Sequence, residues 1–294
     1  RSGCKGATLR IGNVRGRPWL ITGEAEGIDI HEASGHRFGP DLPALYERWE
    51  EFTDWASAAA GEPAGFTPAD LGAPSPNPRQ VFAIGLNYYG HVQEAGLEVP
   101  TEPSVFTKYV SSFAGADAQV ALPPGTVDWE VEIAVVIGRT ARHVAAGDAW
   151  SHVAGLTVGQ DLSERGLQLA GAPPQYSLGK SFPGFGPTGP YLVTPDEFAD
   201  PADLELGCVL NGEPVQKARS TEMVFSVDVL IEKLSRVTTL LPGDVMFTGT
   251  PAGVGAVRTP PRFLAPGDEL VSYVEGIGSI RQTFLAADAE RSGS

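Results

Sequence analysis

The segment VDWEVEIAVVIG, Val127 to Gly138, constrains the fold more than any other part of the chain. It is rich in β-branched residues and ends at a glycine, which reads as a β-strand. Side chains alternate faces along a strand. Trp129, Val131, Ile133, Val135 and Ile137 fall on one face; Asp128, Glu130, Glu132, Ala134 and Val136 fall on the other. The first face is wholly apolar, and the second turns apolar after three acids. Such a strand belongs inside a domain, covered on both sides. Glu130 and Glu132 then lie about 7 Å apart on a covered face. A solvated strand face would hold them as ordinary surface acids, but the apolar continuation argues against that. Buried carboxylates need a partner, and no Lys or Arg is interleaved here. A hard divalent cation with oxygen ligands is the economical one. Asp128, nearest the loop, is expected to face water.

The rest of the chain reads as strands and turns with few helices. TLRIGNV and PWLIT are short strands joined by an Arg-Gly-Arg turn. Residues 41–60 place Leu42, Leu45, Trp49, Phe52 and Trp55 at helical spacing. The Pro-rich stretch 68–80 follows and marks a boundary, giving a small lead domain over 1–75 and a larger one over 76–294. Beyond it, VFAIGLN and SVFTKY read as strands, and YYGHVQEAG as a short helix stopping at Gly96. HVAGLTVGQDLS is a strand running into a turn, and LELGCVLNGEPVQ a hairpin turning at Asn-Gly. SVDVLIEKLSRVTTL has helical period; DVMFTGT and GDELVSYVEGIGSIRQTF supply further strands. Strands outnumber helices without βαβ alternation, so the class is a β-rich α+β fold.

The net charge of −15 argues against a nucleic-acid partner. No run approaches the roughly 18 apolar residues of a membrane span. RSGCKGATLR has no apolar signal core, and two distant cysteines, Cys4 and Cys208, suggest a reducing compartment, the cytoplasm.

Several side chains could carry chemistry. Asp161 ends an apolar strand, where an acid taken by itself reads as a helix N-cap before it reads as a metal ligand. With Glu130 and Glu132 it makes an all-oxygen triad suited to Mg2+ or Mn2+. His91 and Glu94, three apart on a short helix, share a face; on spacing alone a surface pair is the better reading, and a Glu-oriented base is the alternative. Lys180 lies among glycines, prolines and aromatics, either as an ordinary surface cation or as an anchor for an anion or enolate. TGTPAGVG, residues 248–255, lacks a P-loop ending, so Thr250 and its amides read as a turn able to meet a carboxylate. No GxSxG elbow is present.

In this order, AIGLNYYGHVQEAG, PSVFTKY, VDWEVEIAVVIG, GLTVGQDLSERGLQ, LGKSFPGFGPTGP, LNGEPVQ, LLPGDVMFTGTPAGVG and LAPGDELVSYVEGIG resemble the fumarylacetoacetate hydrolase family, over about residues 79 to 284. The resemblance implies a mixed β-sandwich roll, usually dimeric. It implies Glu130, Glu132 and Asp161 as ligands of Mg2+ or Mn2+, and His91 with Glu94 as a water-activating dyad on a lid helix. It implies Lys180 beside a developing enolate, and Arg165, Gln168 and Thr250 against a small anionic 2-oxo or diketo acid. The implied reaction is hydrolysis of a C–C bond in a β-diketo acid such as an acylpyruvate or fumarylpyruvate. Isomerisation or decarboxylation of 2-hydroxy-dienedioates or oxaloacetate-like 2-oxo acids in aromatic catabolism is the alternative. Three departures stand out. Pro183-Gly184 replaces Asp-Thr after the Lys-Ser-Phe run, Gly166 replaces an acid, and GLNYY lacks the fourth metal acid of larger members.

Overall fold

The structure, a computed structural model, describes residues 9–287, which leaves Cys4 outside. Two sheets face each other. The large mixed sheet carries Arg10–Val14, Gly186–Val193, Val153–Gln160, Val131–Ile137, Val245–Phe247, Val81–Gly85 and Ser104–Phe106 side by side in that order. The smaller one orders Glu213–Arg219, Glu205–Leu210, Glu269–Val274, Gly278–Ala286 and Asp117–Leu122. This is the β-rich α+β architecture expected from the strand signals.

The Val131–Ile137 strand lies at the centre, as its two apolar faces require. Val131, Ile133, Val135 and Ile137 pack into one core with Leu206, Leu270, Ile280 and Phe284 of the second sheet. Ala134 and Val136 belong to a separate core with Leu42, Leu45, Tyr46, Trp49 and Phe52. The second core is therefore covered by the helices of the lead segment. These are Leu42–Glu47 and Trp49–Ala56, interrupted at Arg48, rather than one helix over 41–60. Asp41 caps the first by accepting from the Ala44 amide.

The strands Arg10–Val14 and Arg17–Gly23 turn at Arg15 and Gly16, both at positive φ, and the first pairs antiparallel with Gly186–Val193. We propose that the chain divides near residue 75, with its first part adding strands to one edge of the large sheet and helices to one of its faces. The Asn211-Gly212 hairpin forms as expected, with φ of 52° and 83° suiting a type I′ turn. Among the described residues no helix is long and apolar enough to cross a membrane.

Ile133 is fully inside the first core. Ile133→Ala is expected to cost ~2–5 kcal/mol of stability in urea unfolding. A loss below about 1 kcal/mol would contradict its placement between two covered sheets.

Candidate active site

The long strand is not continuous. It divides into Val127–Asp128, which pairs with Ser163–Glu164, and Val131–Ile137, which pairs with Val153–Gln160. At the break, two backbone amides lose ladder partners inside the protein, where an unpaired N–H is costly. Two buried glutamines replace them. The Glu130 amide donates to Gln160 Oε1 at 2.8 Å, and the Val131 amide to Gln216 Oε1 at 3.0 Å. Their own amide groups are anchored in turn. Gln160 Nε2 donates to Ser272 Oγ, and Gln216 Nε2 to Thr250 Oγ1 and the Pro251 carbonyl.

Just past the break, Glu130, Glu132 and Asp161 converge. One carboxylate oxygen from each lies within 4.8 Å of the others, and all three residues are buried. Lys180 Nζ donates to Glu130 Oε2 at 2.8 Å, Asp161 Oδ2 at 2.7 Å and Ser163 Oγ at 2.8 Å, so all three of its hydrogens are committed. Lys108 Nζ donates to Asp161 Oδ1 at 2.7 Å and to the Lys180 carbonyl. Arg165 reaches Glu130 Oε1 at 2.6 Å and grips Asp128 Oδ2 through Nε and Nη2.

Four buried carboxylates thus meet three cations, and Glu132 is the unmatched one. Among the described residues its recorded hydrogen bond comes from the Gly249 amide, at 2.7 Å. Gly249 has φ of 101°, and a Cβ there would meet Asn87 Cβ at 2.6 Å, so only glycine presents this amide without strain.

The electrostatics follow. Burial, joined by the charges of Asp161 and Glu130, pushes the Glu132 carboxyl well above the usual carboxylate range. Burial also opposes the charge on Glu130, but Lys180 and Arg165 outweigh it and hold that carboxyl down to about 2. Burial works against the Lys180 ammonium too, yet Asp161 and Glu130 raise its pKa. Burial prevails at Lys108, whose pKa falls despite Asp161. A pocket with three oxygen ligands, one unbalanced acid and neither His nor Cys in the triad fits a hard divalent cation.

Asp128 does not face water. It is wholly buried, held by Arg165 and by the amides of Trp129, Gly255 and Ala256. The alternation pattern placed it near a loop, but that loop folds against the 255–256 turn and encloses it. The cations apparently missing from the strand come from elsewhere in the chain. Lys108 in particular had read only as part of an SVFTKY strand, which ends at Phe106. Asp161 caps no helix; the following short helix, Arg165–Gln168, is capped by Glu164.

His91 and Glu94 share one face of the Tyr89–Glu94 helix, with His91 Nδ1 2.7 Å from Glu94 Oε1. Glu94 Oε2 accepts from the Gly253 amide at 2.8 Å, tying the helix to the 248–255 turn. His91, Glu130, Arg165, Gln168, Lys180 and Thr250 all line one cavity of about 240 Å³. Glu132 and Asp161 do not line it directly. Arg165 also holds Gln168 Oε1 at 2.8 Å. The Thr250 hydroxyl donates to the Val131 carbonyl and accepts from Gln216, so its hydrogen is already engaged.

The combination of a twin-sheet roll, a buried acid triad and an oriented imidazole on one cavity defines a class of enzyme. Residues 80–285 match the family model for the fumarylacetoacetate (FAA) hydrolase C-terminal region. Oxaloacetate tautomerase FAHD2A, mitochondrial, of Homo sapiens is 47% identical over 210 residues, covering 71% of this chain and 67% of that protein. A crystal structure from Mycobacterium smegmatis is 53% identical with a TM-score of 0.92, covering 95% of this chain and 100% of that one. Fumarylpyruvate hydrolase from Pseudomonas aeruginosa, solved with Mn2+ and pyruvate, is 28% identical with a TM-score of 0.65, covering 71% of this chain and 90% of that one. The chain belongs to the fumarylacetoacetate hydrolase family, and it is an enzyme of that family.

Ligation by Glu132 requires its ionised form, whereas burial beside two acids favours the protonated one. Cation binding should therefore expel a proton, and affinity should rise with pH above the usual carboxylate range and fall as pH drops. Mn2+ calorimetry in buffers of differing ionisation enthalpy measures the release. Affinity independent of pH would contradict this account of Glu132, and Glu132→Gln is expected to weaken Mn2+ by at least about tenfold.

Proposed function

We propose that the protein is a Mg2+- or Mn2+-dependent hydrolase cleaving the C–C bond of a β-diketo acid such as an acylpyruvate or fumarylpyruvate. The observation that carries this reading is the oriented imidazole. Glu94 accepts at Nδ1 of His91, which leaves Nε2 with the lone pair on a residue that lines the cavity. A divalent ion held by Glu130, Glu132 and Asp161 would supply Lewis-acid polarisation of the substrate carbonyl. Both Mg2+ and Mn2+ suit this donor set.

The side chains divide the remaining work. His91 Nε2 takes a proton from water as the water oxygen bonds to the acyl carbonyl carbon. The bond from that carbon to the neighbouring methylene then breaks. Its electron pair leaves as the enolate of the pyruvyl fragment, and a proton returned through His91 gives pyruvate and the free acid. Lys180 is held protonated by Asp161 and Glu130, so it acts as a fixed positive charge beside the enolate rather than as a base. Arg165 positions Glu130 and Gln168 along the cavity wall. The Tyr89–Glu94 helix, fastened through Glu94 to Gly253, is the element whose docking completes the site. Homodimeric assembly and a cytoplasmic location belong to the same proposal, resting on the family resemblance and on the cysteine usage.

A second reading is supported by the identity with the human tautomerase. In it, His91 would move a proton between carbon and oxygen of a 2-oxo acid, and no water would attack. Turnover in 18O-labelled water separates the two. Hydrolysis places one labelled oxygen in the carboxylate of the released acid, and tautomerisation interconverts the substrate without releasing one. His91→Ala is expected to lower kcat by about 10²–10⁴-fold with Mn2+ affinity unchanged. Full activity in that variant would rule out the hydrolase reading.

A further inference from the structure

Away from the cavity, the lead segment gathers two imidazoles and a carboxylate. His31 and Glu32 are adjacent on the short helix Ile30–Ala33. The chain then reverses through Gly35 and His36, at φ of 62° and 68°. The His36 amide closes the reversal by donating to the His31 carbonyl at 2.8 Å. A left-handed φ is uncommon outside glycine. Here it lays the His36 ring against the His31 ring, with centroids 4.5 Å apart. One ligand atom from each of His31, Glu32 and His36 lies within 4.8 Å of the others.

Two of the three ligands are oriented from outside the group. His31 Nδ1 lies 2.9 Å from the Phe38 carbonyl oxygen. A carbonyl can only accept, so Nδ1 carries the hydrogen and Nε2 keeps its lone pair. A backbone carbonyl at the second ring nitrogen is the usual support of a metal-bound histidine. Glu32 Oε1 accepts from Arg17 Nη2 at 3.1 Å, and Oε2 is left 3.3 Å from His36 Nε2. Two ligands of a tetrahedral Zn2+ stand about 3.3 Å apart. Arg17 also holds Asp29 at 2.6 Å, so Arg17, Asp29 and Glu32 together are net negative beside the imidazoles. We propose that His31, Glu32 and His36 form a Zn2+ site, with water in the fourth position. None of the three lines the cavity of the acid triad. Imidazole suits Zn2+, whereas an all-oxygen set suits Mg2+ or Mn2+, so donor chemistry sorts the two cations. Binding tilts the largely exposed His36 ring out of the stack, toward His31 Nε2 and Glu32 Oε2. The ion joins the helix to the turn before Phe38, a residue of the core that covers Ala134 and Val136. It therefore staples the lead segment and takes no part in the chemistry of the cavity.

The test titrates Zn2+ calorimetrically into the full chain held in saturating Mn2+, while electron paramagnetic resonance follows any Mn2+ released. About one equivalent of Zn2+ is expected to bind with no Mn2+ release. His36→Asn keeps a residue that tolerates left-handed backbone, and Glu32→Gln keeps the side-chain shape. Each is expected to weaken Zn2+ binding at least about tenfold and to leave Mn2+ binding as it was. No Zn2+ binding, Zn2+ uptake matched by Mn2+ release, or unchanged Zn2+ affinity in either variant would each overturn the site.

Discussion

The structure is organised around one electrostatic problem: four carboxylates, Asp128, Glu130, Glu132 and Asp161, buried within a few residues of one another. Charge in a protein interior is tolerated only when it is paired and hydrogen-bonded. Lys108, Lys180 and Arg165 pair with three of the four. The remaining imbalance concentrates on Glu132, which has no ion-pair partner among the described residues and whose carboxyl is pushed toward its neutral form. A divalent ion held by Glu130, Glu132 and Asp161 would offset the imbalance. Removing any one of the paired cations would leave a second buried charge uncompensated, the expensive side of a buried ion pair.

Holding the acids in register requires the rest of the fold. The Val131–Ile137 strand is clamped between two apolar cores, so Glu132 cannot move toward solvent. The break before it re-aims Glu130 and Asp128, and the amides that the break releases are satisfied by Gln160 and Gln216. Gln216 also fastens Thr250 and Pro251, and the same turn supplies Gly249 to Glu132 and Gly253 to Glu94. The acid cluster and the His91–Glu94 pair are therefore attached to the same turn. Displacement of that turn would disturb the acid cluster and the imidazole together.

What was readable in the sequence is what local periodicity encodes. The two faces of the central strand, the Asn211-Gly212 hairpin and the shared face of His91 and Glu94 all follow from spacing over a few residues. The failures are long-range. The break at Trp129 and Glu130 leaves no mark in the alternation, because the glutamines that permit it are 30 and 85 residues away. Lys108 lies 53 residues from the acid it neutralises, and Arg165 lies 37 from Asp128. A lone lysine directly after the apolar residues of SVFTKY was a weak local sign, but nothing nearby said what it would meet. Asp128 was misplaced for the same reason: a loop and the start of a buried turn look alike until the 255–256 segment folds back.

We propose that the acid cluster is an ion site rather than a self-contained salt-bridge network. Anomalous diffraction from crystals grown with Mn2+ tests it most directly. A single strong peak bounded by Glu130, Glu132 and Asp161, with Lys180 drawn away from at least one of its carboxylates, is the predicted result. Crystals saturated with Mn2+ that show no peak there, with Lys108 and Lys180 still bridging the acids, would contradict it.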